Sequence, residues 1–380
     1  MRRRQAALGI AAALAFLTGV AVGGGGEDGD GERAAPAAAP ALRGEAPAEA
    51  EREAVDRLPL TRQVGRLVVL RFNGISAPGY VREVLGKGRA AGAILFRDNV
   101  TTPEQLRALT AGLRRAGGRP LVALDQEGGE VRIVPWAPPA ASQPQQADAG
   151  SVRADANAAA SALRAAGVTV SLAPVGDVPS VGGAALGDRA FSRDSDAASA
   201  AVAAAVTGWR AGGVAATVKH FPGLGGATVN TDAAPATVTR TLAQIEATDL
   251  PPFEAAIRAG VPLVMVGHAR YPALDPDRIA SQSPTVVEQL LRRRLGFRGV
   301  TVTDSMEAQA SLATGPITTA SERAVRAGVD LLLLTGRGSY RPVYHHLLEV
   351  ARRSPPLRAR VRESAARVLA LKERGAQPPP

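Results

Sequence analysis

From residue 66 onward, short uninterrupted apolar runs alternate with longer segments in which apolar and polar positions recur with a helical period. The runs are Leu67–Phe72, Ala93–Phe96, Leu121–Leu124, Val168–Ala173, Ala215–Val218, Leu263–Val266, Val300–Thr303 and Asp330–Leu334. A run that is apolar at every position, rather than at every second one, predicts a parallel strand covered on both faces. The segments between them predict helices, among them Pro103–Ala116, Ala197–Ala211 and Pro284–Leu295. The first carries Thr102 as a cap with proline at the next position. Ala-Gly-Gly-Val (211–214), Ala-Gly-Val (259–261), Phe-Arg-Gly-Val (297–300) and Ala-Gly-Val (327–329) place a helix-ending glycine just before a strand. Eight such units predict an α/β fold of one domain, a (β/α)8 TIM-type barrel over residues 58–376. A doubly wound open sheet is the competing architecture. It is weakened because no G-x-G-x-x-G follows the first strand.

The polar residues concentrate just after the strands, where such a barrel carries its site. Asp125-Gln126-Glu127-Gly128-Gly129 follows the third run and Leu186-Gly187-Asp188-Arg189-Ala190-Phe191 lies in the loop after the fourth. Lys219-His220-Phe221-Pro222-Gly223-Leu224-Gly225 follows the fifth, Gly267-His268 the sixth and Asp304-Ser305-Met306 the seventh. A single carboxylate at a strand end is often a helix cap. Five clusters on one rim instead predict a pocket of carboxylates and cations, suited to a polyol whose hydroxyls must each be paired once water leaves.

Composition narrows the class. The chain is 46% hydrophobic with only 3% aromatics, which suits helices and buried strands. Its formal net charge is +10, and only Lys87, Lys219 and Lys372 among the 45 basic residues are lysine. No basic stretch is interleaved with aromatics, so nucleic acid is not an expected partner; the arginine and alanine richness reads as base composition of the genome. The absence of cysteine excludes disulfides and thiolate chemistry, and four histidines make a histidine-rich metal site unexpected. No metal or organic cofactor is expected.

The N-terminus reads differently. Arg2-Arg3-Arg4 precedes an uncharged, mostly apolar run from Ala6 to Val22, the pattern of a signal peptide or N-terminal membrane anchor over residues 1–23. Residues 24–57 are rich in Gly, Pro, Ala, Glu and Asp and are expected to form a disordered tether. The expected location is extracytoplasmic, secreted or held to the membrane by that segment.

The series DQEGG, LGDRAF, KHFPGLG, MVGH and GVTVTDSM, in this order and on these strands, resembles the N-terminal barrel of glycoside hydrolase family 3, above all its single-domain bacterial β-N-acetylhexosaminidases. ILFRDN (94–99) with PEQL (103–106), and Ser283-Pro284 followed by LGFRGV (295–300), match as well. The resemblance covers roughly residues 60–340. It implies a retaining exo-glycosidase that removes terminal β-linked N-acetylglucosamine, often from cell-wall muropeptides. By the same resemblance, Asp304 is the nucleophile; Asp125, Arg189, Lys219 and His220 bind sugar hydroxyls; and His268 lies near the pocket, as a substrate contact or a support. For Lys219-His220 a barrel-internal ion pair is the alternative.

The resemblance breaks at the proton donor. These hexosaminidases carry Asp-Ser/Thr-His in the loop after KHFPG-x-G, and this chain has Asn230-Thr231-Asp232. Three readings stay open. Asp232 is itself the acid/base; Glu127 serves instead; or the barrel is a degenerate wall-glycan binder. A β-glucosidase-like hydrolase is a further alternative, since sequence does not shape the sugar pocket.

Overall fold

All eight apolar runs become strands. The computed structural model describes residues 43–146 and 148–375. Its barrel strands are β1 (Val68–Arg71), β2 (Gly92–Ile94), β3 (Leu121–Leu124), β4 (Val170–Ser171), β5 (Ala215–Phe221), β6 (Leu263–Val266), β7 (Val300–Ser305) and β8 (Leu331–Leu334). They pair in parallel, each with its sequence neighbour, and β8 pairs with β1 to close the barrel. The register at closure sets Val69 beside Leu333 and Leu70 beside Leu334.

Successive strand residues point to opposite faces, so each run splits between two cores. Val69, Ile94, Ala123, Met265, Val302 and Leu333 fill the barrel interior. Val68, Leu70, Val122, Val218, Val264 and Leu332 pack outward against the helices. Both faces are therefore apolar, which is why the runs show no alternation.

The helices start and stop where the sequence places them. Pro103–Arg115 opens on Thr102, whose side chain accepts from the Gln105 amide at 3.2 Å. Ser195–Gly212 opens on Asp194 in the same way. Ile317–Ala327 ends at Gly328 with φ of 112°, a left-handed turn that favours glycine. Thr285–Arg294 is helical but wound wide, and beyond it the Leu295 amide donates to Leu290 O, five residues back.

The expected tether needs correction at its C-terminal end. Glu49–Asp56 is a helix, with Val55 1% exposed. Arg362 of the C-terminal helix Pro355–Gly375 pairs with Asp56 at 2.5 Å, and the Gly44 amide donates to Gly260 O. Alanine and glutamate make a segment look disordered, yet they are also strong helix formers. One buried valine and an ion pair suffice to dock this helix, so the folded body begins by Arg43. The segment expected as signal or anchor, 1–23, and the first part of the tether lie outside the described residues. Among the described residues no helix is long and apolar enough to cross a membrane.

The N-terminal end of the barrel is shut by the C-terminal helix, whose Val368 and Leu371 join the interior core. Beside them Asp330, fully buried, accepts from Arg292 Nη2 at 2.6 Å, from Arg360 and from Arg367 Nη1 at 3.2 Å. It also takes the Thr301 amide at 3.0 Å and the Ser364 hydroxyl at 3.0 Å. Burial alone would raise this carboxyl; Arg292, Arg367 and Arg360 outweigh it and hold it far below the ordinary range. One carboxylate thus ties β7, β8 and two helices together. Asp330→Ala is expected to cost about 3–5 kcal/mol in urea unfolding at pH 7, since three guanidiniums lose their one fully buried counter-charge and keep only Glu363 and Glu288. A cost under about 1 kcal/mol would show the cluster to be dispensable. Because the folded pKa is depressed, the contribution is complete above the unfolded value of about 4 and is lost as pH falls below it.

Candidate active site

At the C-terminal end of the barrel the interior core stops short of the rim. A cavity of about 350 Å³ opens there, floored by Ile94, Leu172, Met265 and Leu333. Its walls carry Asp125, Arg189, Lys219, His220, Asp232 and Asp304, six of the seven residues singled out from sequence. Lys219 and His220 are consecutive, and strand neighbours normally face opposite sides. Here the peptide between them is cis, and both side chains line the cavity.

An ion network forms one wall. Lys219 Nζ lies 2.6 Å from Asp125 Oδ1 and 2.6 Å from Glu127 Oε1. Arg189 clamps Glu127 with two bonds, Nε to Oε2 at 2.8 Å and Nη2 to Oε1 at 2.6 Å. The Lys219 side chain is 2% exposed, so its charge needs these partners. Burial lowers its pKa, but Asp125 and Glu127 raise it further, keeping it a cation. Glu127 is 3% exposed and lies beneath the cavity wall. Burial pushes its carboxyl up, Lys219 and Arg189 pull harder, and it settles at about 2. A carboxylate held ionised in this way has no proton to give, so Glu127 is excluded as an alternative acid.

His220 is set by a residue the sequence reading missed. Asp177, 1% exposed, accepts the His220 Nδ1 proton at 2.8 Å, the His220 amide at 3.2 Å and the Leu224 amide at 2.6 Å. The two amide bonds it accepts fix the loop that carries KHFPGLG, which also passes so close to Val178 that a Cβ at Gly225 would meet the Val178 carbonyl at 1.9 Å. With Nδ1 committed, Nε2 faces Asp304 Oδ2 at 3.9 Å. A lone carboxylate in the apolar stretch Leu172–Val178 was the available signal.

Asp304 sits at the end of β7 with its side chain 16% exposed. Burial would raise its pKa; His220 and the Ser305 amide, which donates at 2.8 Å, lower it. His268 does not line the cavity, so of its two expected places the structure favours the support and not the substrate contact. It is wholly buried, with Nδ1 2.8 Å from Ser281 Oγ and Nε2 2.9 Å from the Ser305 carbonyl. A carbonyl only accepts, so Nε2 carries the proton and Nδ1 takes the serine hydroxyl. Burial lowers the His268 pKa, consistent with that neutral ring. Its place is to hold the backbone beside Asp304.

Asp232 lies on an exposed loop at the mouth of the cavity. Its amide donates to Asn230 Oδ1 at 2.9 Å, and the buried Thr231 anchors the turn. The carbonyls of Thr231 and Asp232 accept from the amides of Ala310 and Gln309. The loop is thus fastened to the segment that follows Asp304. Partial burial, then the negative charge of Asp304, raises the Asp232 pKa. Arg71, the last residue of β1, also lines the cavity, 4.4 Å above the ring of Phe96. It too escaped the sequence reading, although a charge ending the run Val68–Leu70 marks it. Among the described residues no group of three or more His, Asp or Glu is arranged to hold a metal ion.

The geometry is that of a small polar pocket with two carboxylates of opposite pKa tendency. Residues 60–371 match the family described as glycosyl hydrolase family 3 N terminal domain. The β-hexosaminidase of Stenotrophomonas maltophilia (strain K279a) is 37% identical over 280 residues, 70% of this chain and 83% of the relative. A family 3 β-N-acetylglucosaminidase from Paenibacillus sp. superposes with a TM-score of 0.80 at 34% identity, over 84% of this chain and 63% of that one. A β-N-acetylhexosaminidase from Beutenbergia cavernae superposes with a TM-score of 0.78 at 31% identity, over 83% of this chain and 99% of that one. Match, identity and superposition agree, and the chain belongs to glycosyl hydrolase family 3.

Proposed function

We propose that the chain is a retaining exo-β-N-acetylhexosaminidase in which Asp304 is the nucleophile and Asp232 the acid/base. The observation that carries this reading is the opposite displacement of the two carboxyls: Asp304 lowered, Asp232 raised, both on one cavity of about 350 Å³. A glycosidase needs that division, one group ionised to attack and one protonated to donate. The names of the relatives at 31–37% identity support the N-acetylhexosaminide as substrate class.

In the first step Asp304 Oδ attacks the anomeric carbon while Asp232 protonates the leaving oxygen, giving a covalent glycosyl-enzyme and a free alcohol. In the second, Asp232 takes a proton from water, whose oxygen displaces Asp304 from the sugar. Lys219, Arg189 and Asp125 offer paired charges to the sugar hydroxyls, and His220 Nε2 faces the same space. Glu127 serves as their counter-ion, and Asp177 and His268 position His220 and the Asp304 backbone. The basic residues Arg2–Arg4 ahead of the apolar run support export to the cell envelope, where wall-derived muropeptides are the natural substrate we infer.

Asp304→Ala is expected to abolish release of nitrophenol from nitrophenyl-N-acetylglucosaminide; activity equal to wild type sinks the nucleophile assignment. Asp232→Ala should slow muropeptide cleavage by about 10²–10⁴-fold, the range general acid catalysis supplies, and nitrophenyl cleavage far less. Identical losses on both substrates would argue against an acid role. The pH profile follows from the two shifts. Activity falls on the acid side as Asp304 gains its proton, below the ordinary carboxylate value, and on the alkaline side as Asp232 loses its own, above it. Asp232→Asn should remove the alkaline limb from the residual muropeptide cleavage, and its persistence would assign that limb elsewhere. Comparing glucoside with N-acetylglucosaminide rates tests the sugar, and muropeptide binding without turnover in the wild-type chain would overturn the enzymatic reading.

A further inference from the structure

At the opposite end of the barrel a second cavity, of about 370 Å³, lies between the start of the barrel strands and the C-terminal helix. Four cations line it, Arg62, Arg66, Arg119 and Lys372, against one acid, Glu373. Lys372 is 6% exposed. Its neighbour Leu371 plugs the barrel, and a leucine or methionine would serve that packing as well. Among the described residues no carboxylate or carbonyl is paired with its ammonium; the one charge that acts on it is Arg66, of the same sign. Arg66 has the charge of Glu373 acting on it, but its Nε is buried with no hydrogen-bond partner. Arg119 enters from a loop where Gly117, Gly118 and Arg119 all have positive φ. At 46° Arg119 is the one non-glycine residue in that region among the described residues. The cations converge from the helix Leu60–Gly65 and its end, from this loop and from the C-terminal helix.

Charged cavities elsewhere differ. The one between residues 46–56 and the C-terminal helix, about 510 Å³, is also arginine-rich, but there Arg362 and Arg367 are already paired with Asp56 and Glu363. At Lys372 the counter-charge is missing from the protein itself.

We propose that this cavity binds a tetrahedral oxyanion, a phosphate or sulfate group that supplies the counter-charge to Lys372 and Arg66. Guanidinium forks and an ammonium approaching from several elements suit three or four acceptor oxygens better than the two of a carboxylate. The site faces away from the sugar pocket and uses none of its residues. Burial, then Arg66, brings the Lys372 pKa down to about 7 without the anion. Binding therefore requires proton uptake by Lys372 as pH rises through 7; the other charged groups that face it are Arg62, Arg66, Arg119 and Glu373.

Titration calorimetry of the full chain at fixed ionic strength tests this with sodium sulfate, whose charge is constant over the range used, and with inorganic phosphate. One saturable site is expected, with sulfate affinity weakening about tenfold per pH unit above 7. Lys372→Met should abolish the heat while preserving both the Tm and nitrophenyl-N-acetylglucosaminide turnover, because an apolar side chain of similar length replaces an unpaired buried cation. Arg62→Gln, an exposed change, should weaken binding without abolishing it. Tighter binding of glycerol 1-phosphate than of phosphate would assign the anion to the end of a larger molecule; equal binding assigns it to the free ion. No heat from either ion, or binding that Lys372→Met leaves unchanged, overturns the proposal.

Discussion

Closure of the parallel sheet is the constraint from which the rest follows. Once β8 pairs with β1, the barrel has no free edge, and its strands are covered on both faces. The interior is too narrow to stay open, so Val69, Ala123, Met265 and Leu333 fill it. Filling ends where the strands end. At one end the core stops below the rim and leaves the polar cavity; at the other Val368 and Leu371 of the C-terminal helix complete it. The two ends thus divide the work, with Asp330 and its arginines holding one together and the carboxylate pair occupying the other.

The rim poses an electrostatic problem that Glu127 solves. A pocket for hydroxyls needs cations that stay charged while almost buried, and Lys219 and Arg189 are both drawn to one carboxylate beneath them. Their charge is thereby fixed before any sugar arrives, and no reorganisation is needed when it does. The same pairing leaves Asp125 on the cavity wall, bonded to Lys219 but facing solvent space where a hydroxyl would sit. Asp304 and Asp232 lie outside this neutralised cluster, which is why their pKa values separate according to burial, His220 and each other.

Much of this was legible in the sequence because barrels write their layers linearly. Each apolar run became a strand, and Asp125, Arg189, Lys219, His220, Asp232 and Asp304 converged as the strand-end rule implies. What was not legible depended on through-space partners. Asp177 precedes His220 by 43 residues, and nothing local shows that it binds that ring. His268 follows a strand end like the others, but its ring turns to Ser281 and Ser305 instead of the cavity. Glu127 could be read as an acid until Arg189, 62 residues away, was seen to clamp it. The helix Glu49–Asp56 went unread because its stability comes from the C-terminal helix it docks on.

The bonds from Gln309 and Ala310 to the carbonyls of Asp232 and Thr231 have a kinetic side. A mouth loop that drifts freely admits ligand quickly but lets bulk solvent reach the acid. This one is latched to the chain five residues beyond Asp304, so the two carboxyls share a single mechanical mount. Opening the mouth would break the two backbone bonds that tie the loop to the start of the short helix Gln309–Leu312. A helix outside the cavity lining is thereby joined mechanically to the loop that carries Asp232.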